Sequence, residues 1–149
     1  MSVEAINIFS AQKRERRIDV GRALGSSETA MFIYDLSPGQ LQCPYHYEYK
    51  EEWLLVVDGT IVIRQPDRER TLERGDLVCL RPGPAGAHQI TNRSDSPART
   101  LMFSSSQVPA VSVYPDSNKI GVWPGNEVDD LVFRRATAVS WADGEEGWD

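Results

Sequence analysis

The chain is poor in the residues that do most metal and redox chemistry: its 149 positions hold two histidines and two cysteines. Cys43 and Cys79 form no C-x-x-C pair, and two cysteines are too few to suggest a disulfide-stapled secreted scaffold. Positive charge is also short, with 16 Lys and Arg against 22 Asp and Glu and a net charge of −6. That balance argues against a binder of duplex nucleic acid, which needs a basic face to displace counterions. The one concentrated basic run, Lys13-Arg14-Glu15-Arg16-Arg17, reads as a solvated segment. No apolar stretch approaches the roughly 18–20 residues that span a bilayer. The opening MSVEAINIF lacks the basic-then-apolar pattern of a secretory signal. The expectation is a cytoplasmic protein with neither a membrane nor a nucleic-acid partner. Long helical periodicity and internal repeats are missing too, which excludes helical bundles and solenoids.

What the chain does have is a series of short apolar-alternating runs with turn chemistry between them. A hydrophobic content of 40% and a charged content of 26% suit one soluble domain with a real core. Strands are expected at Met31 to Leu36, Trp53 to Val57, Thr60 to Arg64, Glu69 to Leu72, Leu77 to Leu80, His88 to Asn92 and Arg99 to Ser105. Shorter ones follow at Val111 to Tyr114, Ile120 to Trp123 and Leu131 to Phe133. Asp58-Gly59 reads as a two-residue hairpin turn. Many short strands at close spacing mean an all-β sandwich or barrel. Residues 1–30, with Val3, Ile6, Ile8 and Phe9, read as an N-terminal arm packed across the barrel or a partner. Residues 31–135 form the barrel, and 136–149 an acidic tail with Trp141 and Trp148 as anchors.

Two blocks stand out: GQLQCPYHYEYKEEWLLVVDG from Gly39 to Gly59, and GDLVCLRPGPAGAHQITN from Gly75 to Asn92. In a strand, His46 and Glu48 share a face, and a short reversal around Tyr49 to Glu51 returns Glu52 to that side. These blocks resemble the two motifs of the cupin superfamily, G-x5-H-x-H-x3,4-E-x6-G and G-x5-P-x-G-x2-H-x3-N. His46, Glu52 and Gly59 match the first motif, and Gly75, Pro82, His88 and Asn92 the second. Three departures are visible: Glu48 stands where the family has a second His, one extra residue separates Gly39 from His46, and a Pro-Gly-Pro-Ala-Gly insertion precedes His88. The resemblance implies a double-stranded β-helix or jelly-roll barrel holding one divalent metal (Mn, Fe, Ni or Zn). It places His46, Glu52 and His88 as a two-His, one-carboxylate ligand set, with Glu48 beside them.

Glu48 has two roles open to it. As a ligand, it makes the site formally neutral, and such oxygen-rich ligation leans toward Mn or Fe over Cu. Standing off the metal, it is a general base and so a catalytic residue. Alternation places Leu54 and Val56 on the face of Glu52, and Ile90 and Asn92 on that of His88, as pocket walls. Tyr45, Tyr47 and Tyr49 fall on the opposite face. The segment Val113 to Trp123 caps the mouth, with Asp116 and Lys119 as ligand contacts, and Arg64 and Arg81 are available to an anion. The expected function is a metal-dependent enzyme of dioxygenase, isomerase or decarboxylase type acting on a small polar molecule. The alternative is a non-catalytic small-molecule binder serving as a sensor, storage or accessory protein. A homodimer is expected, because an exposed strand edge is a liability that the arm is placed to cover on a neighbour.

Overall fold

In a computed structural model of the chain, residues 4–12 and 17–147 are described. Val3, Trp148 and the Lys13-to-Arg16 part of the basic run lie outside them. The elements in order are β1 (Arg17–Asp19), α1 (Val20–Ala23), β2 (Thr29–Leu36), β3 (Tyr47–Glu48), β4 (Glu52–Asp58), β5 (Thr60–Arg64) and β6 (Glu69–Glu73). There follow β7 (Leu77–Leu80), β8 (Gln89–Thr91), β9 (Ala98–Ser105), β10 (Ala110–Tyr114), β11 (Lys119–Trp123) and β12 (Leu131–Arg134). The strands form antiparallel sheets in the orders β1-β2-β9-β4-β7, β6-β5-β8 and β12-β11-β10-β3. This is an all-β jelly-roll barrel, as the motif resemblance implies. Among the described residues no helix is long and apolar enough to cross a membrane.

Period-two alternation fills the barrel. Leu54 and Val56 of β4, Ile61 and Ile63 of β5, Leu72, Leu80 and Ile90 are each at most 1% exposed and form one cluster with Leu36, Ala98 and Met102. Burying a side chain of this size contributes roughly 1.5–3 kcal/mol. A smaller cluster on the other face of the first sheet joins Val20, Ile33, Val57 and Leu101 to Ile6, Ile8 and Ala11 of the N-terminal segment.

Asp58-Gly59 corrects one sequence expectation. The strands on either side of it do not pair with each other: β4 pairs with β7 and β9, and β5 with β6 and β8. The two residues are a corner at which the chain leaves one sheet for the other, not a hairpin. Gly59 alone takes positive φ, 76°. A Cβ there would stand 2.7 Å from the Pro97 carbonyl oxygen, so the position needs glycine for space as well as for conformation. Turn chemistry is read correctly from Asp-Gly; the identity of the paired strands is not.

The N-terminal segment packs on the chain's own barrel through one guanidinium. Arg99 Nε and Nη2 donate to Asp35 at 2.6 and 2.9 Å, Nη1 donates to Ile8 O and Phe9 O at 2.9 and 3.0 Å, and Nη2 donates to Ala11 O at 2.8 Å. All five donors of the fork are used, two on a carboxylate and three on backbone carbonyls. Arg99→Ala is expected to cost roughly 1.5–3 kcal/mol and to expose the amides of residues 4–12 to rapid hydrogen exchange while the sheets stay protected. Arg99→Lys should fail to restore protection, because an ammonium has only three donors and no planar fork. Unchanged exchange at residues 4–12 in Arg99→Ala would refute the anchoring role.

Candidate metal centre

The site begins with backbone pairing. His46 N donates to His88 O at 3.0 Å and His88 N donates to His46 O at 2.8 Å, an isolated antiparallel bridge. Directly opposed residues of an antiparallel pair project to one face, and the two imidazole centroids lie 4.7 Å apart. A second bridge joins Leu41 to Thr91. Six residues from Leu41 to His46 thus run against four from His88 to Thr91, and the surplus forms a bulge through Cys43 and Pro44. Bulges re-aim side chains next to sites. This one turns the Pro44 carbonyl onto His46 Nδ1 at 2.9 Å.

Both rings are held in the same tautomer. Gly86 O stands 2.9 Å from His88 Nδ1, just as Pro44 O does from His46 Nδ1. A carbonyl only accepts, so Nδ1 carries the hydrogen on each ring and Nε2 presents a lone pair. The insertion before His88 therefore has a structural task. It turns through a 3-10 segment, Pro84–Gly86, and donates Gly83 N to Glu48 O at 2.7 Å. Gly86 packs so tightly on the Arg81 backbone that a Cβ would overlap it.

Two carboxylates complete the group. Glu52 Oε2 lies 3.9 Å from His88 Nε2. Glu48 is oriented from behind: Ser112 Oγ donates to its Oε1 at 3.0 Å, and Trp123 Nε1 donates to Ser112 Oγ at 2.9 Å. Glu48 Oε2 stands 3.3 Å from Lys50 Nζ without hydrogen-bond geometry. Ligating atoms of His46, Glu48 and Glu52 lie within 4.8 Å of one another, as do those of Cys43, His46 and His88. His88 Nε2 is buried and has no hydrogen-bond partner. A buried lone pair left unmatched costs free energy that a cation recovers. The donor set, imidazole and carboxylate with a thiol at the edge, fits a divalent ion.

Electrostatics agree with a neutral His88 beside crowded acids. Burial, then the neighbouring His46, pulls His88 down to about 4 although the Gly86 carbonyl raises it. Burial, with Glu48 adding, pushes Glu52 up to about 7 against the pull of Lys50. At neutral pH the His88–Glu52 contact is therefore no ion pair, because His88 carries no charge.

A cavity of about 850 Å³ opens over these groups. Its walls include Tyr34, Met102, Phe103, Tyr114 and Trp123, with Arg17 and Lys50 as its cations. The Arg17 guanidinium lies 4.3 Å from the Phe32 centroid, with Nη1 3.5 Å from the Tyr34 hydroxyl.

The expected pocket walls lie elsewhere. Leu54, Val56 and Ile90 face the barrel interior, as alternation requires, but below the cavity where the sheets close and side chains fill the space. Asn92 is a buried turn anchor, donating to Leu36 O at 2.9 Å and Ser96 O at 2.8 Å. Asp116 accepts two hydrogen bonds from Arg64, at 2.6 and 3.1 Å, which takes both residues out of the ligand contacts expected of them. Lys119 Nζ sits 5.4 Å from the Tyr114 centroid and borders no part of the cavity. The Val113–Trp123 segment does reach the mouth, but through Tyr114 and Trp123. Tyr45 and Tyr47 pack with Ala87 and Val113 on the opposite side, while Tyr49 is exposed. Cys43, Ser112 and Arg17 were not anticipated at the site. Cys43 alone had a local signal, three residues before a histidine.

The raised Glu52 has a signed consequence. Its folded value of about 7 exceeds the ordinary carboxylate value of 4.5, so its contribution to stability is complete below about 4.5 and lost as pH rises through about 7. Glu52→Gln removes that loss. In chelator-treated protein, the stability of Glu52→Gln relative to wild type should climb across this window and level off above it, as read by urea melts. A flat difference would refute the buried-acid assignment.

Residues 32–104 match the family model described as the cupin domain. An 87-residue stretch is 25% identical to the tetracenomycin polyketide synthase protein TcmJ of Streptomyces glaucescens. It covers 58% of this chain and only 57% of that relative's length. A sugar phosphate isomerase from a cupin superfamily of Silicibacter pomeroyi superposes with a TM-score of 0.74 at 24% identity, over 86% of this chain and 82% of that one. The polyketide cyclase RemF of Streptomyces resistomycificus superposes with a TM-score of 0.60 at 16% identity, over 73% and 84%. At such identities the two structures are evidence of shared fold.

Proposed function

We propose that this chain, which belongs to the cupin superfamily, is a metal-dependent enzyme that shifts a proton next to a carbonyl in a small anionic molecule. The observation that carries the metal assignment is the buried, unpartnered His88 Nε2 facing Glu52 and His46. His46, His88 and Glu52 would hold the ion, and a divalent cation bound there would supply Lewis acidity. Glu48 acts as the base. Ser112 fixes one of its oxygens, and Lys50 offsets its charge without the metal. Arg17 at the cavity wall receives the substrate's anionic group.

The reaction class is chosen to suit the names of two proteins of shared fold, a sugar phosphate isomerase and a polyketide cyclase. Isomerising a sugar phosphate begins with loss of a proton beside a carbonyl. Glu48 takes that proton; in an isomerisation it returns it to the carbon that bore the carbonyl, while the adjacent hydroxyl proton passes to the former carbonyl oxygen.

Two measurements test the reading. Elemental analysis after reloading with Mn, Fe, Ni or Zn should find close to one ion per chain, sharply reduced in His46→Ala and His88→Ala. Apparent affinity should fall as pH drops below about 7, because the ion competes with the Glu52 proton. Absence of metal from reloaded wild type ends the proposal. In heavy water, sugar phosphates and 3-oxo acids should lose their α-protons to solvent, followed by NMR. Glu48→Gln should keep its metal and slow that exchange by roughly 100-fold or more. Loss of metal in Glu48→Gln would make it a ligand instead, and oxygen uptake without exchange would point to a dioxygenase.

A further inference from the structure

Strand β12 (Leu131–Arg134) closes one end of its sheet and pairs with β11 alone among the described residues. All four of its residues are exposed. Leu131 is 59% exposed, Val132 50% and Phe133 42%. Successive strand residues alternate between faces, so apolar side chains stand in solvent on both sides of this edge. Free edges are normally blunted by charge, proline or a bulge along the strand. Here the three central residues carry none of these.

Charge sits only at the ends, and with opposite sign. Asp129 and Asp130 precede the apolar triplet, and Arg134 and Arg135 follow it. The run DDLVFRR is complementary to itself when reversed. With Val132 opposite its own copy, antiparallel pairing sets Leu131 against Phe133 and Asp130 against Arg134, each twice. The backbone confines the pairing to that register. Asp130 and Arg134 are extended, at φ −64°, ψ 126° and φ −79°, ψ 135°, and 3-10 turns at Glu127–Asp129 and Arg135–Thr137 close the run at both ends. Only the alignment centred on Val132 matches all five extended residues. Asp130 makes no side-chain hydrogen bond or ion pair among the described residues, and Arg134 spends one nitrogen on Ser117 O at 3.3 Å.

We propose that β12 is a homodimer interface, in which two copies join edge to edge about a two-fold axis through Val132 and continue β12-β11-β10-β3 into one sheet of twice as many strands. The unpaired edge amides and carbonyls supply the hydrogen bonds, and the apolar triplet leaves solvent on both faces. Asp130 and Arg134 select the antiparallel register, since a parallel alignment would oppose like charges. This interface does not depend on the metal or on the reaction proposed for the cavity.

Sedimentation velocity across a dilution series tests it. Wild type should sediment as a dimer at micromolar concentration and above, and Val132→Lys, which opposes two ammonium groups on the axis, as a monomer. Asp130→Arg alone and Arg134→Asp alone should each raise the dissociation constant by about tenfold, since each turns two attractive pairs repulsive. The double variant Asp130→Arg/Arg134→Asp should restore wild-type association, because the swapped strand is again complementary to itself. These side chains are exposed, so circular dichroism should show an unchanged fold in every variant. A monomeric wild type overturns the proposal. So does a dimer indifferent to Val132→Lys and to both single reversals, or a double variant that is not rescued.

Discussion

Two backbone hydrogen bonds between His46 and His88 govern the site. They lock residues 42 positions apart into direct opposition, so both imidazoles must emerge side by side from one face. The remaining geometry follows. The bulge before His46 supplies the Pro44 carbonyl and the loop before His88 the Gly86 carbonyl, and each turns its ring so that Nε2 faces inward. Glu48 lies two residues beyond His46, on the same face, and pairs across the sheet with Ser112. Glu52 comes from the opposite sheet, where β4 lies between β7 and β9. If the bridge slipped by one residue, the pleat would turn one imidazole outward and leave Glu52 without its partners.

The barrel was legible because its signal is local. Alternation and Gly/Pro/Asp turns mark ten strands, and each appears within a residue or two of its expected bounds. The omissions were short: β1 has three residues, α1 four and β3 two, too few to establish a period. Asp58-Gly59 marks the edge of what local chemistry can say. The dipeptide specifies a sharp turn, while the partners of the flanking strands depend on how the sheets pack.

Candidate residues at the centre were readable where a motif carries them, and hidden where only three-dimensional proximity does. Alternation assigned Leu54, Val56 and Ile90 to the inner face but holds no information on depth, and at their depth the barrel is solid. The Trp123–Ser112–Glu48 relay joins a local strand pair, β10 and β11, to a glutamate 64 residues before Ser112, so no spacing betrays it. Asp116 looked available because its partner, Arg64, is 52 residues away.

The departure at Glu48 changes how a substrate must be held. Under the proposed assignment Glu52 is the one carboxylate on the ion, and the carboxylate of Glu48 stands beside it where the family has an imidazole. A carboxylate at that position weakens the pull of the centre on an anion. Recognition of an anionic group falls to side chains set apart from the metal. Arg17, held over Phe32 and beside Tyr34, is placed for it, as is Lys50 beyond Glu48. In that proposal metal and anion are held by different side chains of one cavity. A substrate carrying its charge several bonds from its carbonyl fits such a division, while one with both on adjacent atoms would satisfy only one of the two.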